Sequence, residues 1–230
     1  MTLQQNHLIG RLPRRERERL QGLSELVQLA RPDVIHDQAR PLRHVYFPVD
    51  GCVSLLTQLE AHPSVEVGMV GREGMLGTWL VLGVPRVPLQ AVVQGSGSAW
   101  RLGTVPLRRE LLQSPAMRRV FERYVVVLMT QLATSSACLR FHHIEPRLAR
   151  WLLMTQDRAH ADRFPVTHEF LASLLGVRRA GVTLAAGALQ ARGQITYHRG
   201  VVVVLDRAGL EGSACSCYAA DRRVYDTMLG

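Results

Sequence analysis

The chain has 230 residues, enough for one large domain or two modest ones that each bury a core. With 47% hydrophobic and 20% charged residues it has the composition of a globular protein. No apolar run reaches the roughly 18–20 residues that a bilayer crossing takes; the longest, Tyr124–Ala133, is interrupted by Thr130 and Gln131.

The formal net charge is +9, and all 28 cations are arginine, a balance that favours polyanionic partners. The N-terminal MTLQQNHLIGRLPRRERERL has no apolar stretch of the secretory kind, so the protein is expected in the cytoplasm, with no membrane partner. The following RRERERLQGLSELVQLA reads as one short amphipathic helix with its charges on one side.

From about His44 to Leu102 the pattern changes to strands. VYFPVDGCVSLLTQL, VEVGMVGREGMLG and LQAVVQGSGSAWRL are β-branched or aromatic runs punctuated by Asp-Gly, Gly-Arg-Glu-Gly and Gly-Ser-Gly turns. That spacing suits a small antiparallel barrel or roll. From Pro106 to His142 the pattern is helical. Phe121, Tyr124, Leu128, Gln131, Ser135 and Cys138 recur at alternating steps of three and four, the spacing of a two-stranded coiled-coil seam. A homodimer seam is expected here; Gln131 and Ser135 dilute it, and the alternative is a helix buried within its own domain.

IEPRLARWLLMTQDR then begins a third region, with Pro146 in the first turn of a helix. FPVTHEFLASLLGV and RAGVTLAAGALQARG follow as two more helices. QITYHRGVVVVLD reads as a hairpin turning at Arg199-Gly200. This is the element order of a winged helix-turn-helix. Ala172 is small where two helices would cross, Gly176 permits the corner, and Val182 with Ala185 would bury the second helix. Arg178 and Arg179 sit at that helix's start, where the backbone already presents positive charge, so an external anion is the natural partner. Between Arg163 and Arg199 five arginines face one acid, Glu169. A major groove supplies both phosphates and guanine N7/O6 acceptors.

Cys52 and Cys138 are isolated, and Cys215-Ser-Cys217 lacks the spacing of a zinc knuckle, so reduced thiols and no metal are expected. No nucleophile–base pair or His-x-His metal motif is present, and an enzyme is not expected.

On THEFLASLLGVRRAGVT, followed by ALQARGQITYHRGVVVVLD, the chain resembles the Crp/Fnr family of transcription regulators, with a Leu189-x-x-x-Gly193-x-Ile195 approach to the wing. VEVGMVGREGMLG resembles the family's turn towards the effector pocket. The resemblance implies an α+β architecture. An N-terminal antiparallel β-roll of cupin-like, cyclic-nucleotide-binding-domain type (1–105) leads to a long dimerisation helix (106–142) with Phe121, Tyr124, Leu128 and Gln131 in its seam. A C-terminal winged helix-turn-helix (143–230) completes the chain.

For function, the resemblance implies a dimeric regulator that binds double-stranded DNA, and it admits RNA polymerase as a further partner. Thr167 and His168 would hold the DNA backbone. Arg178, Arg179 and Thr183 would face the groove, with His198 and Arg199 at the wing tip. Glu73, Gly74 and Arg86 match the effector pocket.

Departures from the family pattern sharpen these expectations. Ala180 and Leu184 stand where the best-known members carry a base-reading Glu and Arg, so a different operator is expected. Arg178 replaces a Ser/Thr cap and Gly181 lies inside the helix, which together cost on the order of 1–2 kcal/mol of local stability. Arg86 is followed by Val87 and Pro88, and Pro88 has no N–H for a cyclic phosphate; cyclic AMP is not expected. The first cysteine is Cys52, too late for an N-terminal iron–sulfur cluster, and haem ligation by His36, His44 or His62 is not expected either. The effector remains unknown at this level. The alternative reading is a small-molecule sensor acting through protein partners, its helix-turn-helix no longer reading bases.

Overall fold

The computed structural model describes residues 3–38, 40–58, 60 and 63–230, with Gln4 described by its backbone alone; His62 lies outside these residues. After a 3-10 turn and the short helix α1 (His7–Gly10), α2 (Arg14–Leu23) carries the Arg/Glu-rich run. The helix stops there. SELVQL, expected as its continuation, is strand β1 (Ser24–Leu29), paired antiparallel with β7 (Gly97–Gly103) from Ser24↔Leu102 to Leu29↔Gly97. Its ladder partner lies far along the chain, so a local helical pattern could not reveal it.

The roll is built from two antiparallel sheets. β1 and β3 (His44–Pro48) flank β7 in one; the other runs β2 (Val34–His36), β6 (Gln90–Gly95), β4 (Cys52–Thr57), β5 (Val65–Val70). Val53, Val70, Ala91, Val93 and Ala99 close their shared interior. His36 is buried there, its Nε2 3.1 Å from the His44 carbonyl, and burial lowers its pKa to about 4.

The helical stretch is two helices. α3 (Thr104–Gln113) ends at Ser114, whose side chain accepts from the Met117 N–H and caps α4 (Pro115–Phe141) with Pro115 in its first turn. By length and composition α4 is apolar enough to cross a bilayer, which the shorter runs in the sequence do not suggest. Here it lies along the roll. The Phe121 ring packs at a tilt against Phe47, centroids 5.8 Å apart, Leu128 joins the roll interior, and Gln131 Oε1 accepts from the Met69 N–H at 3.1 Å.

This corrects the dimer seam. Phe121, Tyr124, Leu128, Gln131, Ser135 and Cys138 are all at most 8% exposed within their own chain. A three-four stripe looks the same whether the covering surface belongs to a partner or to the chain itself, and here the roll and the C-terminal helix cover it.

α5 (Ile144–Ala159) is the core helix of the third region, with Leu148, Leu152 and Leu153 fully buried against α6 (His168–Leu175), α7 (Arg179–Ala191) and the wing. The wing is a three-stranded antiparallel sheet in which β10 (Val201–Val204) lies between β8 (Arg163–Pro165) and β9 (Ile195–His198). Arg199 and Gly200 both take positive φ, 48° and 75°, the pair of left-handed residues that a tight two-residue hairpin requires. α8 (Arg207–Ser213) follows, and α9 (Cys217–Leu229) then leaves the winged helix and returns to α4. Leu229 ends in the N-terminal core beside Leu3 and Leu8.

Candidate nucleic-acid interface and effector cavity

The corner between α6 and α7 follows from local chemistry. Thr167 caps α6 by accepting from the Phe170 N–H at 3.2 Å. Gly176 ends that helix in the left-handed conformation (φ 61°), its N–H bonded to Ser173 O at 3.1 Å. The chain turns by 108° between the two helices, within the range of a helix-turn-helix. Ala172, Val182 and Ala185 are buried at the crossing. Gly181 has a tertiary role beside its local cost: a Cβ there would lie 2.6 Å from Ile144 Cδ1, so its absence lets α7 settle onto the start of α5.

α6 rests on the roll. The Ser173 hydroxyl donates to Ser64 O at 3.3 Å, and the Arg31 guanidinium lies 5.4 Å from the Phe170 ring centre while donating to Pro165 O. The start of α7 is left facing outward. Arg178 and Arg179 are exposed, and among the described residues neither forms an ion pair with a carboxylate. Thr183, Ala180 and Leu184 lie on the same open face, Leu184 at 76% exposure. His198 and Arg199 are exposed at the wing tip.

His168 and Thr183 are engaged with each other. The His168 ring stacks on Tyr197 at 4.2 Å, and its Nδ1 lies 3.0 Å from the Thr183 hydroxyl. That hydroxyl also lies 3.1 Å from Arg179 O. Both contacts are satisfied when Thr183 donates to the carbonyl and His168 Nδ1–H donates to Thr183. Burial, then the charge of Arg179, lowers the His168 pKa. These residues tie α6, α7 and β9 into one unit. The contact between His168 and Thr183, fifteen positions apart, has no signal in the sequence.

The expected effector residues separate. Glu73 lines a cavity of about 650 Å³ enclosed by the turn after β5, α4, the end of α5, and α9, together with Tyr124, Gln131, Arg158, Asp221 and Tyr225. Its carboxylate is held by Arg158 at 2.9 Å and by the Gly71 N–H. Gly74 backs onto α4: a Cβ there would fall 1.8 Å from the Tyr124 hydroxyl, so the missing side chain serves helix packing. Arg86 corrects the expectation. It is exposed, forms an isolated bridge with Pro41 and does not line this cavity. α9 supplies Asp221 and Tyr225 to the wall, which the resemblance does not suggest.

The cysteines divide as well. Cys52 is a core thiol whose pKa burial pushes up to about 12. Cys138, expected as an isolated thiol, and the Cys215-Ser-Cys217 pair, expected not to bind a metal, converge with His142.

Comparison with known proteins agrees with this geometry. Residues 146–212 match the family model of the Crp-like helix-turn-helix domain. No curated protein matches the chain by sequence. Among solved structures, FixK2 from Bradyrhizobium japonicum is similar with a TM-score of 0.70 at 16% identity, covering 84% of this chain and 98% of its own. A CRP-family transcriptional regulator from Thermus thermophilus, TTHB099, gives 0.67 at 20% identity, covering 82% and 96%. The c-di-GMP-responsive global regulator CLP from Xanthomonas campestris gives 0.66 at 16%, covering 84% and 99%.

The molecule is thus an antiparallel roll joined by a long helix to a winged helix-turn-helix. Its fold is Crp/Fnr-like, and residues 146–212 match the Crp-like helix-turn-helix family model.

Proposed function

We propose that the chain is a cytoplasmic, homodimeric transcription regulator that places α7 in the DNA major groove and responds to a signal at the cavity between the roll and α9. The observation that carries this reading is the outward placement of Arg178 and Arg179 at the start of α7, with no carboxylate partner among the described residues, in a chain of net charge +9. Arg179 reads a guanine edge or a phosphate, Arg178 and Arg199 hold phosphates, and Thr167, His168 and Thr183 position the unit. Leu184, exposed on the same face, suits contact with a thymine methyl.

Dimerisation uses the side of α4 that the roll leaves open. Val126 and Met129 are 43% and 56% exposed, and Ala133 and Arg140 continue the same line. An effector in the cavity touches the turn after β5, α4, α5 and α9 together, so its binding can shift the two halves of the chain.

Selection from random duplex DNA followed by sequencing tests the reading. It should return a two-fold site with half-sites about one helical turn apart. Binding to random duplex should also weaken steeply with salt; a flat salt dependence would favour the sensor that works through protein partners. Met129→Glu should convert the dimer to monomer in light scattering and lower affinity for the two-fold site, while leaving the fold intact by circular dichroism.

A further inference from the structure

We propose that Cys138, His142, Cys215 and Cys217 form a closed site for one zinc ion, which clasps the end of α4 to the start of α9. The four donors come from two distant segments. Cys138 lies in the last turn of α4, and His142, four residues on, is the extended residue that caps the helix. Cys215 and Cys217 flank Ser216, the N-cap residue of α9, and the Cys215 N–H is tied to Pro146 O at 3.2 Å.

All four ligand atoms lie within 4.8 Å of one another. Cys138 Sγ is 3.5 Å from Cys215 Sγ, and Cys217 Sγ is 3.5 Å from His142 Nδ1. Zinc bonds of about 2.3 Å to sulfur and about 2.0 Å to nitrogen, set tetrahedrally, place neighbouring ligand atoms about 3.5–3.8 Å apart. The observed edges fit that size. An iron–sulfur cluster holds its thiolates apart by its own width, and a disulfide would use two of the four groups and leave the imidazole and one thiol without purpose.

The surroundings support a metal on electrostatic grounds. The three cysteines are at most 8% exposed and form a buried cluster separate from the apolar cores. Three thiolates and one Zn²⁺ leave a net charge of −1. α5 provides the balancing cation: Arg147, 7% exposed, lines the small cavity beside Cys138 and finds no carboxylate partner among the described residues. Its neighbour Arg150 is already paired with Asp221 at 2.6 Å. Soft sulfur donors with imidazole select zinc over magnesium or calcium, and four protein ligands leave no open position, as in a structural site.

On binding, three thiols release their protons to solvent and His142 coordinates as neutral imidazole through Nδ1, so zinc is held less well as pH falls. Arg147 also donates to Leu175 O, the last carbonyl before the Gly176 corner. The clasp therefore lies one side chain away from the helix-turn-helix, whatever that motif binds.

Metal analysis of the full-length protein, purified without chelator from zinc-supplemented cells, should find about one zinc per chain, released by a mercurial thiol reagent. Replacing zinc with Co²⁺ should give the intense visible bands of a tetrahedral, thiolate-rich site. Cys138→Ser, Cys217→Ser and His142→Ala should each lower zinc retention by at least about tenfold, whereas Cys52→Ala should retain it. If the cysteine variants fail to fold, the cobalt spectrum of the unmodified chain decides. Protein without zinc and without tetrahedral cobalt bands overturns the proposal. So does iron with acid-labile sulfide, or a Cys138–Cys215 disulfide in the protein as isolated.

Discussion

Two arginine-bearing regions of this molecule use their charge in opposite ways. At the start of α7, Arg178 and Arg179 stand in solvent with no ion-paired acid among the described residues. At the turn after β5, Glu73 and Arg158 neutralise each other at 2.9 Å with side chains 20% and 11% exposed. The first stands out in the sequence by its cations at a helix start, the second by its resemblance to an effector-pocket turn. The contrast teaches that an ionic residue reports on an outside partner only when the fold has not already supplied an inside one.

Removing the inside partner should have the largest effect. Glu73→Ala leaves the Arg158 charge mostly buried and uncompensated, and should cost about 3–5 kcal/mol in urea unfolding. A change under about 1 kcal/mol would show that the pair behaves as a solvated one. Next comes Gly74→Ala, whose methyl must displace the Tyr124 hydroxyl. It should cost about 1–3 kcal/mol through overpacking, and a second substitution, Tyr124→Leu, should relieve part of that loss.

Arg179→Ala inverts the pattern. It should leave unfolding within about 0.5 kcal/mol yet weaken the selected DNA site by about 1–3 kcal/mol and relax specificity at one base pair. Uniform weakening on every sequence would make Arg179 a phosphate contact.

The smallest effect is a pH slope. Glu66 on β5 faces the Ser54 hydroxyl, Arg150, Arg158 and Trp151, yet burial pushes its pKa up from 4.5 to about 7. Between those values the folded chain holds a proton that the unfolded chain has lost, so stability falls as pH rises through the window. Glu66→Gln should flatten that fall in unfolding measurements made across the range.

Much of the winged helix was legible because its signals are local. Gly176 marks a corner between two short apolar patterns, and Arg199-Gly200 marks a turn between two β-branched runs. The roll was legible in outline only. SELVQL reads as helix beside its arginine-rich neighbour and becomes a strand because β7 offers a free edge. Arg86 follows the turn in sequence, but its backbone bridges Pro41 and it does not line the cavity that Glu73 lines. Cys138 and His142 do have a readable spacing, one helical turn; what was missing was any sign that Cys215 and Cys217 return to meet it.

The sequence by itself determined the succession of roll, helical stretch and winged helix in outline, the corner that presents two arginines, and the hairpin beside it, since these depend mostly on backbone preferences within a few residues. Tertiary structure alone decided which face of α4 is covered, which carboxylate claims Arg158, and that four metal-binding side chains share one small volume. Those outcomes depend on contacts between segments tens of residues apart, and apolar periodicity carries no record of which surface will cover a given face.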